Sequence, residues 1–201
     1  MTRQSHDRTY FDAMYAADPD PWRFRTSAYE SAKYQASIAA IDQRRYLSGL
    51  EVGCSIGVLS ARVAPLCDTF LGLDISDQPL VAARAACAGF SAARFACMQV
   101  PQEWPEGRFD LIILSEVLYF LNATDIAATS DRIRDSLLPG GRVLLVNWLG
   151  AHTSPQPGDV AADLFIGRGG LMLEAQTRQP LYRLDLLTAE AVTAEPLTRA
   201  E

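Results

Sequence analysis

The sequence has little of what most polyanion-binding, metal-binding or membrane proteins require. Among its 201 residues are 18 lysines and arginines against 24 aspartates and glutamates, a net charge of −6. No dense basic cluster occurs, so a nucleic-acid substrate is disfavoured; phosphate binding normally leaves a basic stripe. There are four cysteines (Cys54, Cys67, Cys87, Cys97) and two histidines. No two cysteines stand at the short spacing of a zinc site. They read as small buried residues in a reducing cytoplasm. No apolar run is long enough to span a membrane, and residues 1–9 are polar, unlike a secretory signal. Internal repeats and low-complexity tracts are also missing. A small-molecule enzyme, cytoplasmic and monomeric or homodimeric, fits these absences.

What is present begins with an apolar core: 49% of residues are hydrophobic, enough for one domain of this length. The organising stretch is Leu50-Glu51-Val52-Gly53-Cys54-Ser55-Ile56-Gly57. It reads as a buried strand followed by a tight loop of alternating small residues, Gly53, Ser55 and Gly57. Val58, Leu59, Arg62, Val63 and Leu66 then share one face of a helix. In α/β sheets such a loop sits where nucleotide-like ligands bind. A dinucleotide fingerprint, G-x-G-x-x-G, fails here because Val58 occupies the third glycine position. Glu51 would also repel a pyrophosphate and suits a cation.

The pattern resembles motif I of the class I S-adenosylmethionine (SAM) methyltransferases, an acid followed by Gly-x-Gly-x-Gly, with Ser55 replacing the middle glycine. The resemblance implies that Glu51 recognises the methionine end of SAM and that Gly53, Cys54, Ser55 and Gly57 form its cradle. A second strand, Thr69–Asp74, ends in an acid about twenty residues after the loop, where a carboxylate can accept hydrogen bonds from ribose hydroxyls. Asp74, with Ile75 beside it, is therefore a cofactor candidate. At the tip of a third strand, 93–99, Gln99 or Val100 stands where that family often has an acid facing adenine.

The chain reads as alternating strands and helices. Residues 10–15 form a short amphipathic helix, broken by Asp18-Pro19-Asp20-Pro21. Ser27 and Glu30 make a capping box for a helix carrying Tyr34, Ile38 and Ile41. Residues 78–89 are helical. Phe109–Ser115 is a continuous apolar run, as in a buried parallel strand, and it delivers Ser115, Glu116 and Tyr119 to its C-terminal end. Thr124-Asp125 cap a helix to Leu138, Pro139-Gly140-Gly141 turn, and 142–148 is a fifth strand. Residues 151–170 are irregular, apart from a short helix over 159–165, and hold His152. Two closing strands span 171–177 and 182–188, and 189–201 is a frayed tail.

The Asp20-Pro21-Trp22 turn, Tyr29-Glu30, Lys33-Tyr34, the glycine loop, and the Phe109–Ile112 entry with its Glu116–Tyr119 exit are similar to the nodulation-protein NodS group of methyltransferases. That resemblance runs from about residue 18 to about residue 150. It implies a Rossmann-like class I methyltransferase fold: a mostly parallel sheet, helices on both faces, and a C-terminal antiparallel strand pair. It implies one domain over 1–201, with 1–46 as a helical lid, 47–150 as the SAM-binding core and 151–201 as the substrate side. Trp22, Lys33, Ser115 and Glu116 join the cofactor candidates; Glu116, Tyr119 and His152 are the catalytic candidates. The expected reaction is methyl transfer from SAM to an amine or hydroxyl of a small molecule, an amino sugar or chitooligosaccharide by the family's example, leaving S-adenosylhomocysteine (SAH). The alternatives are a non-catalytic SAM- or SAH-binding module and an NAD-dependent oxidoreductase. Against the latter, the only Tyr-x-x-x-Lys pair singled out, Tyr29 and Lys33, precedes the loop.

Overall fold

The computed structural model describes residues 4–42 and 44–190; the expected tail beyond 190 lies outside them. Two helices, α1 (Arg8–Ala17) and α2 (Ala28–Ala40), precede β1 (Tyr46–Val52). There follow α3 (Ser60–Val63), β2 (Cys67–Asp74), α4 (Leu80–Ala86), β3 (Ala93–Cys97), β4 (Phe109–Ser115), α5 (Ala123–Ser136), β5 (Leu137–Trp148), α6 (Gly158–Gly167), β6 (Met172–Arg178) and β7 (Tyr182–Thr188). The strands form one seven-stranded sheet in the order β3-β2-β1-β4-β5-β7-β6. β3, β2, β1, β4 and β5 are parallel. β7 and β6 close the sheet antiparallel.

This is the expected Rossmann-like architecture, and its cause is visible in β4. Ile112 and Leu114 face the α5 and α6 side with Ile126, Ile133, Val143, Leu145 and Phe165. Leu111 and Ile113 face the α2 and α3 side with Tyr34, Ile41, Leu59 and Val63. A strand covered on both faces needs apolar side chains at every position. The order of the sheet reverses at β1 and β4, the point at which α/β sheets form a crevice outside the strands' C-terminal ends.

Local details differ from the sequence reading where punctuation residues intervene. The helix expected after the glycine loop is one α-helical turn and a 3₁₀ turn, Ala64–Leu66, because Pro65 cannot supply an interior N–H. The helix expected over 78–89 shrinks to α4. The cap of α5 is Asn122, whose side chain accepts from the Asp125 amide at 2.9 Å, ahead of the Thr124-Asp125 start. The Pro139-Gly140-Gly141 turn is an excursion within β5: Leu137 pairs with Phe109, and pairing resumes with Arg142 opposite Leu111. Ser27 does cap α2, accepting from the Glu30 amide at 3.2 Å.

Gly57 shows what the glycine loop costs and secures. Its φ is +77°, and a Cβ there would stand 2.7 Å from Ala83 Cα. Its smallness therefore lets α4 close on the loop. Gly57→Ala is expected to destabilise the protein by about 2–4 kcal/mol, combining left-handed strain and overpacking. Gly89→Ala, at a position with open space, is the control and should stay within about 0.5 kcal/mol. Urea denaturation of both variants checks this; equal stability would place Gly57 outside the packing of α4.

Candidate active site

The crevice at the sheet's reversal point is a cavity of about 510 Å³, within the usual range for a small-ligand site. One wall comes from the first half of the sheet: Val52, Gly53, Ser55, Asp74, Ile75, Met98, Gln99 and Val100. The other comes from the β4 and β5 ends: Ser115, Glu116, Tyr119, Trp148 and His152. The N-terminal helices supply the cover, including Tyr15, Trp22, Tyr29 and Lys33.

The small residues of the loop have a common backbone reason. Gly53, Ser55 and Gly57 have φ of +77°, +47° and +77°, the left-handed region that β-carbons disfavour. Serine at the middle position bears that cost and is held there from two sides. Its amide donates to Asp74 Oδ2 at 2.9 Å, and its hydroxyl accepts from Tyr15 of α1 at 2.7 Å. Such over-determination is what lets a strained backbone persist.

Asp74 ends β2 with its carboxylate buried. Oδ2 takes the Ser55 amide, and Oδ1 takes the Ser76 amide at 3.0 Å. Burial pushes its pKa up to about 6, against the lowering by those backbone donors. A carboxylate has about four acceptor positions, so capacity for further donors remains. Gln99 and Val100 lie on the same wall.

Glu51, expected at the methionine end of a cofactor, does not line the large cavity. Leu50 and Val52 point to the α5 and α6 side, so strand alternation sends Glu51 to the other face. There it is buried, accepts from Ser60 Oγ at 2.5 Å, and lines a void of about 20 Å³ behind the loop with Cys54. Gly57 is likewise on the α4 side. None of these three lies on the wall of the large cavity. Burial raises the Glu51 pKa to about 8, so its side chain is mainly the neutral acid at pH 7.

At the β4 tip, Glu116 has φ +62° and a carboxylate gripped from three directions. Oε1 accepts from Lys33 Nζ at 2.6 Å. Oε2 accepts from the Tyr119 hydroxyl at 2.8 Å and the Trp148 amide at 3.0 Å. Lys33, 1% exposed, also donates to Glu30 Oε1 at 2.9 Å. The ammonium expected near a cofactor is thus shared between two carboxylates. Burial raises the Glu30 pKa and Lys33 pulls it back.

The His152 ring lies tilted beside Tyr119, ring centroids 4.9 Å apart, and burial lowers its pKa. Its Nδ1 accepts from the Ser154 amide at 3.3 Å. His152 lines the cavity beside Tyr119.

The sequence reading missed the part played by α1. Besides the Tyr15 bond to Ser55, Asp12 accepts from Ser76 Oγ at 2.5 Å. On the opposite wall the His6 amide donates to the Phe120 carbonyl at 2.9 Å, and Ser5 bonds to Asp125. α1 and the residues just before it therefore bridge both walls. Its amphipathic pattern gave a face but no partner.

Fold and cleft together define a class I SAM-methyltransferase architecture. A family model for nodulation protein S matches residues 6–145, and the chain belongs to that NodS family. Nodulation protein S of Bradyrhizobium diazoefficiens is 34% identical over 104 residues, which are 51% of this chain and 49% of that protein; the match spans about half the relative's length. The crystal structure of the N-methyltransferase NodS from Bradyrhizobium japonicum with SAH superposes with a TM-score of 0.79 at 21% identity, over 90% of this chain and 97% of that one. A candidate methyltransferase from Pseudomonas syringae gives 0.71 at 30% identity, over 81% and 99%.

Two stability predictions follow from the buried charges. An unfolded Glu51 loses its proton near pH 4.3, whereas the folded one holds it to about 8. The proton-linked stability is complete below the unfolded value and is lost as pH rises to about 8, by up to about 1.4 kcal/mol per unit. Glu51→Gln removes that dependence. The variant's advantage over the parent should widen between about pH 5 and pH 8 and flatten above, in urea melts at each pH; a constant gap would mean that folded Glu51 is ionised throughout. Lys33→Met leaves Glu30 and Glu116 facing one another and should cost about 3–5 kcal/mol, with part recovered in Lys33→Met/Glu30→Gln. An undiminished melting temperature in the single variant would contradict the buried pair.

Proposed function

We propose that this protein is a SAM-dependent methyltransferase that acts on an amine or hydroxyl of a small molecule. The observation that carries the reading is Asp74: a buried carboxylate at the β2 tip, anchored by the Ser55 and Ser76 amides, on the wall of a large cavity at the C-terminal edge of a parallel sheet. Its remaining acceptor capacity suits the two hydroxyls of a ribose. Ile75, Met98 and Val100 offer apolar surface for an adenine, with Gln99 beside them as a polar partner. Gly53, Ser55 and Ser115 flank the path toward Glu116, where a methionine end would lie, and Trp22 helps to cover it. The donor set therefore fits the cofactor, and SAM, when bound, supplies an electrophilic sulfonium methyl whose transfer leaves SAH.

The chain's own contribution is then placement and exclusion of water. Residues 1–46 act as a lid, 47–150 as the cofactor core, and the segment from 151 as the acceptor side, within one domain. Glu116 holds Tyr119 and the Trp148 backbone in place, with one acceptor position left for a substrate N–H or O–H. The free thiols of Cys54, Cys67, Cys87 and Cys97 favour a reducing cytoplasm, and a monomer or homodimer suffices. The names of its relatives support N-directed transfer. A non-catalytic module would keep cofactor affinity without turnover.

Calorimetric titration with SAH, and NAD in parallel, tests this reading. Micromolar SAH binding with no NAD binding is expected. Asp74→Ala should weaken SAH by about 1–3 kcal/mol, the cost of unmet hydrogen bonds. Heat from NAD alone, or unchanged SAH affinity in the variant, would refute the site as assigned.

A further inference from the structure

Lys33 is the only lysine in the chain; the other fixed cations are arginines. An ammonium is a compact charge with three donors, and Lys33 uses that shape within the protein. It donates to Glu30 Oε1 at 2.9 Å and to Glu116 Oε1 at 2.6 Å. Its head lies over the Tyr29 ring, 5.2 Å from the centroid. With its side chain 1% exposed, Lys33 is closed to a ligand. Glu116 is the opposite case. Its side chain is 13% exposed and lines the cavity, and Oε1, bonded to Lys33 alone, keeps an acceptor position. Glu30 stands at the same end, but its Oε2 is buried and makes no hydrogen bond. Any influence of Glu30 on a ligand therefore passes through Lys33.

The charges here do not balance. Two carboxylates share one ammonium, which leaves one negative charge in excess. Among the described residues no second cation pairs with either carboxylate. Burial raises the pKa of the Tyr29, Tyr34 and Tyr119 hydroxyls and lowers that of His152, so none of these neighbours is charged at pH 7. Arg62 lies over the Tyr34 ring and donates to Ser31. In an open cavity, water solvates the excess charge. When ligands displace that water the charge needs a partner, because an unmatched buried ion is strongly disfavoured. The open position on Glu116 is where such a partner can bind.

We propose that Glu30 is a specificity-determining residue that acts through Lys33 and makes the site receive its acceptor as an ammonium. Glu30 takes part of the Lys33 charge, so Glu116 stays under-neutralised. An acceptor ammonium donates to Glu116 Oε1 and completes a neutral group of two anions and two cations. A hydroxyl acceptor brings the donor without the charge, and a carboxylate brings the wrong charge. Without Glu30, Lys33 and Glu116 would form a closed neutral pair with no preference for a cation. The assignment rests on the methyl-transfer reading of the same cavity.

The test uses the full chain and calorimetry. Parent, Glu30→Gln and Glu30→Asp are titrated with SAH and with SAM. Each SAH-saturated protein is then titrated with the β-1,4 glucosamine dimer, buffered below its amine pKa, and with its N,N′-diacetyl form, which lacks the charge. The parent should bind the diamine about tenfold more tightly, a modest value for one charge pair at a partly buried site. Glu30→Gln should erase that preference and leave SAH affinity as it was, while Glu30→Asp, which keeps the charge, keeps the preference. A preference that survives in Glu30→Gln is steric and overturns the proposal. So does its loss in both variants, which marks a packing role, or a parallel fall in SAH affinity. Weakening confined to SAM assigns the excess charge to the sulfonium and also overturns it. Equal binding of the two sugars by the parent, or binding of neither, overturns the proposal and leaves the methyltransferase reading intact. Failure of the parent to bind SAH overturns both.

Discussion

The buried ion cluster of Lys33 with Glu30 and Glu116 ties the rest of the site together. Lys33 and Glu30 belong to α2; Glu116 follows β4, 83 residues later. A lysine ammonium 1% exposed is tolerated only if its charge is matched and its donors are used. Once it is matched, Glu116 is held in place, and its second oxygen fixes the Tyr119 ring and the end of β5 at Trp148. One interaction thus sets the relative position of the N-terminal cover, the β4 tip and the β5 tip. The cluster's contribution lies in geometry more than in stability, since desolvation of three charges offsets much of their attraction.

The cofactor wall depends on a second device of the same kind. Three left-handed residues in five would be an unfavourable loop on its own. Asp74 draws the Ser55 amide inward, and Tyr15 holds the Ser55 hydroxyl from above. The strand β2, the glycine loop and α1 are therefore mutually dependent, and the cover is part of the binding wall. That is why the N-terminal helices bond within the cavity instead of resting on the sheet edge.

Much of this was legible in the sequence because it is local. The doubly apolar run of β4 declares a central parallel strand. The spacing of Gly53, Ser55 and Gly57 declares a backbone with φ > 0. Asp74 and Glu116 stand at strand ends, where chemistry in α/β sheets is expected. What was not legible depends on distant partners. Lys33 reads as one charge on a helix until Glu116 arrives from 83 residues away, and Tyr15 reads as core until it meets Ser55, 40 residues on. The surroundings of Glu51 were hidden for a different reason. Its motif suggested a ligand contact, while alternation between Leu50 and Val52 already sent it to the opposite face, toward Ser60.

The placement of Glu51 shifts the electrostatic argument for the whole cavity. A carboxyl group with a pKa of about 8, off the cavity wall, contributes little negative potential at neutral pH. The charge that attracts a cation must then come from elsewhere, and the cavity has it in two places. Asp74, with a pKa of about 6, is mostly ionised at pH 7 and lies at the ribose end. The excess carboxylate of the Lys33 cluster lies at the other. A cationic methyl donor and an amine acceptor would meet at the Glu116 end, and transfer requires that the amine shed its proton before attack. The positive charge on the donor favours that loss, since it lowers the affinity of a neighbouring amine for its proton. Lys33, shared between Glu30 and Glu116, offsets part of the carboxylate charge that would otherwise favour a protonated amine.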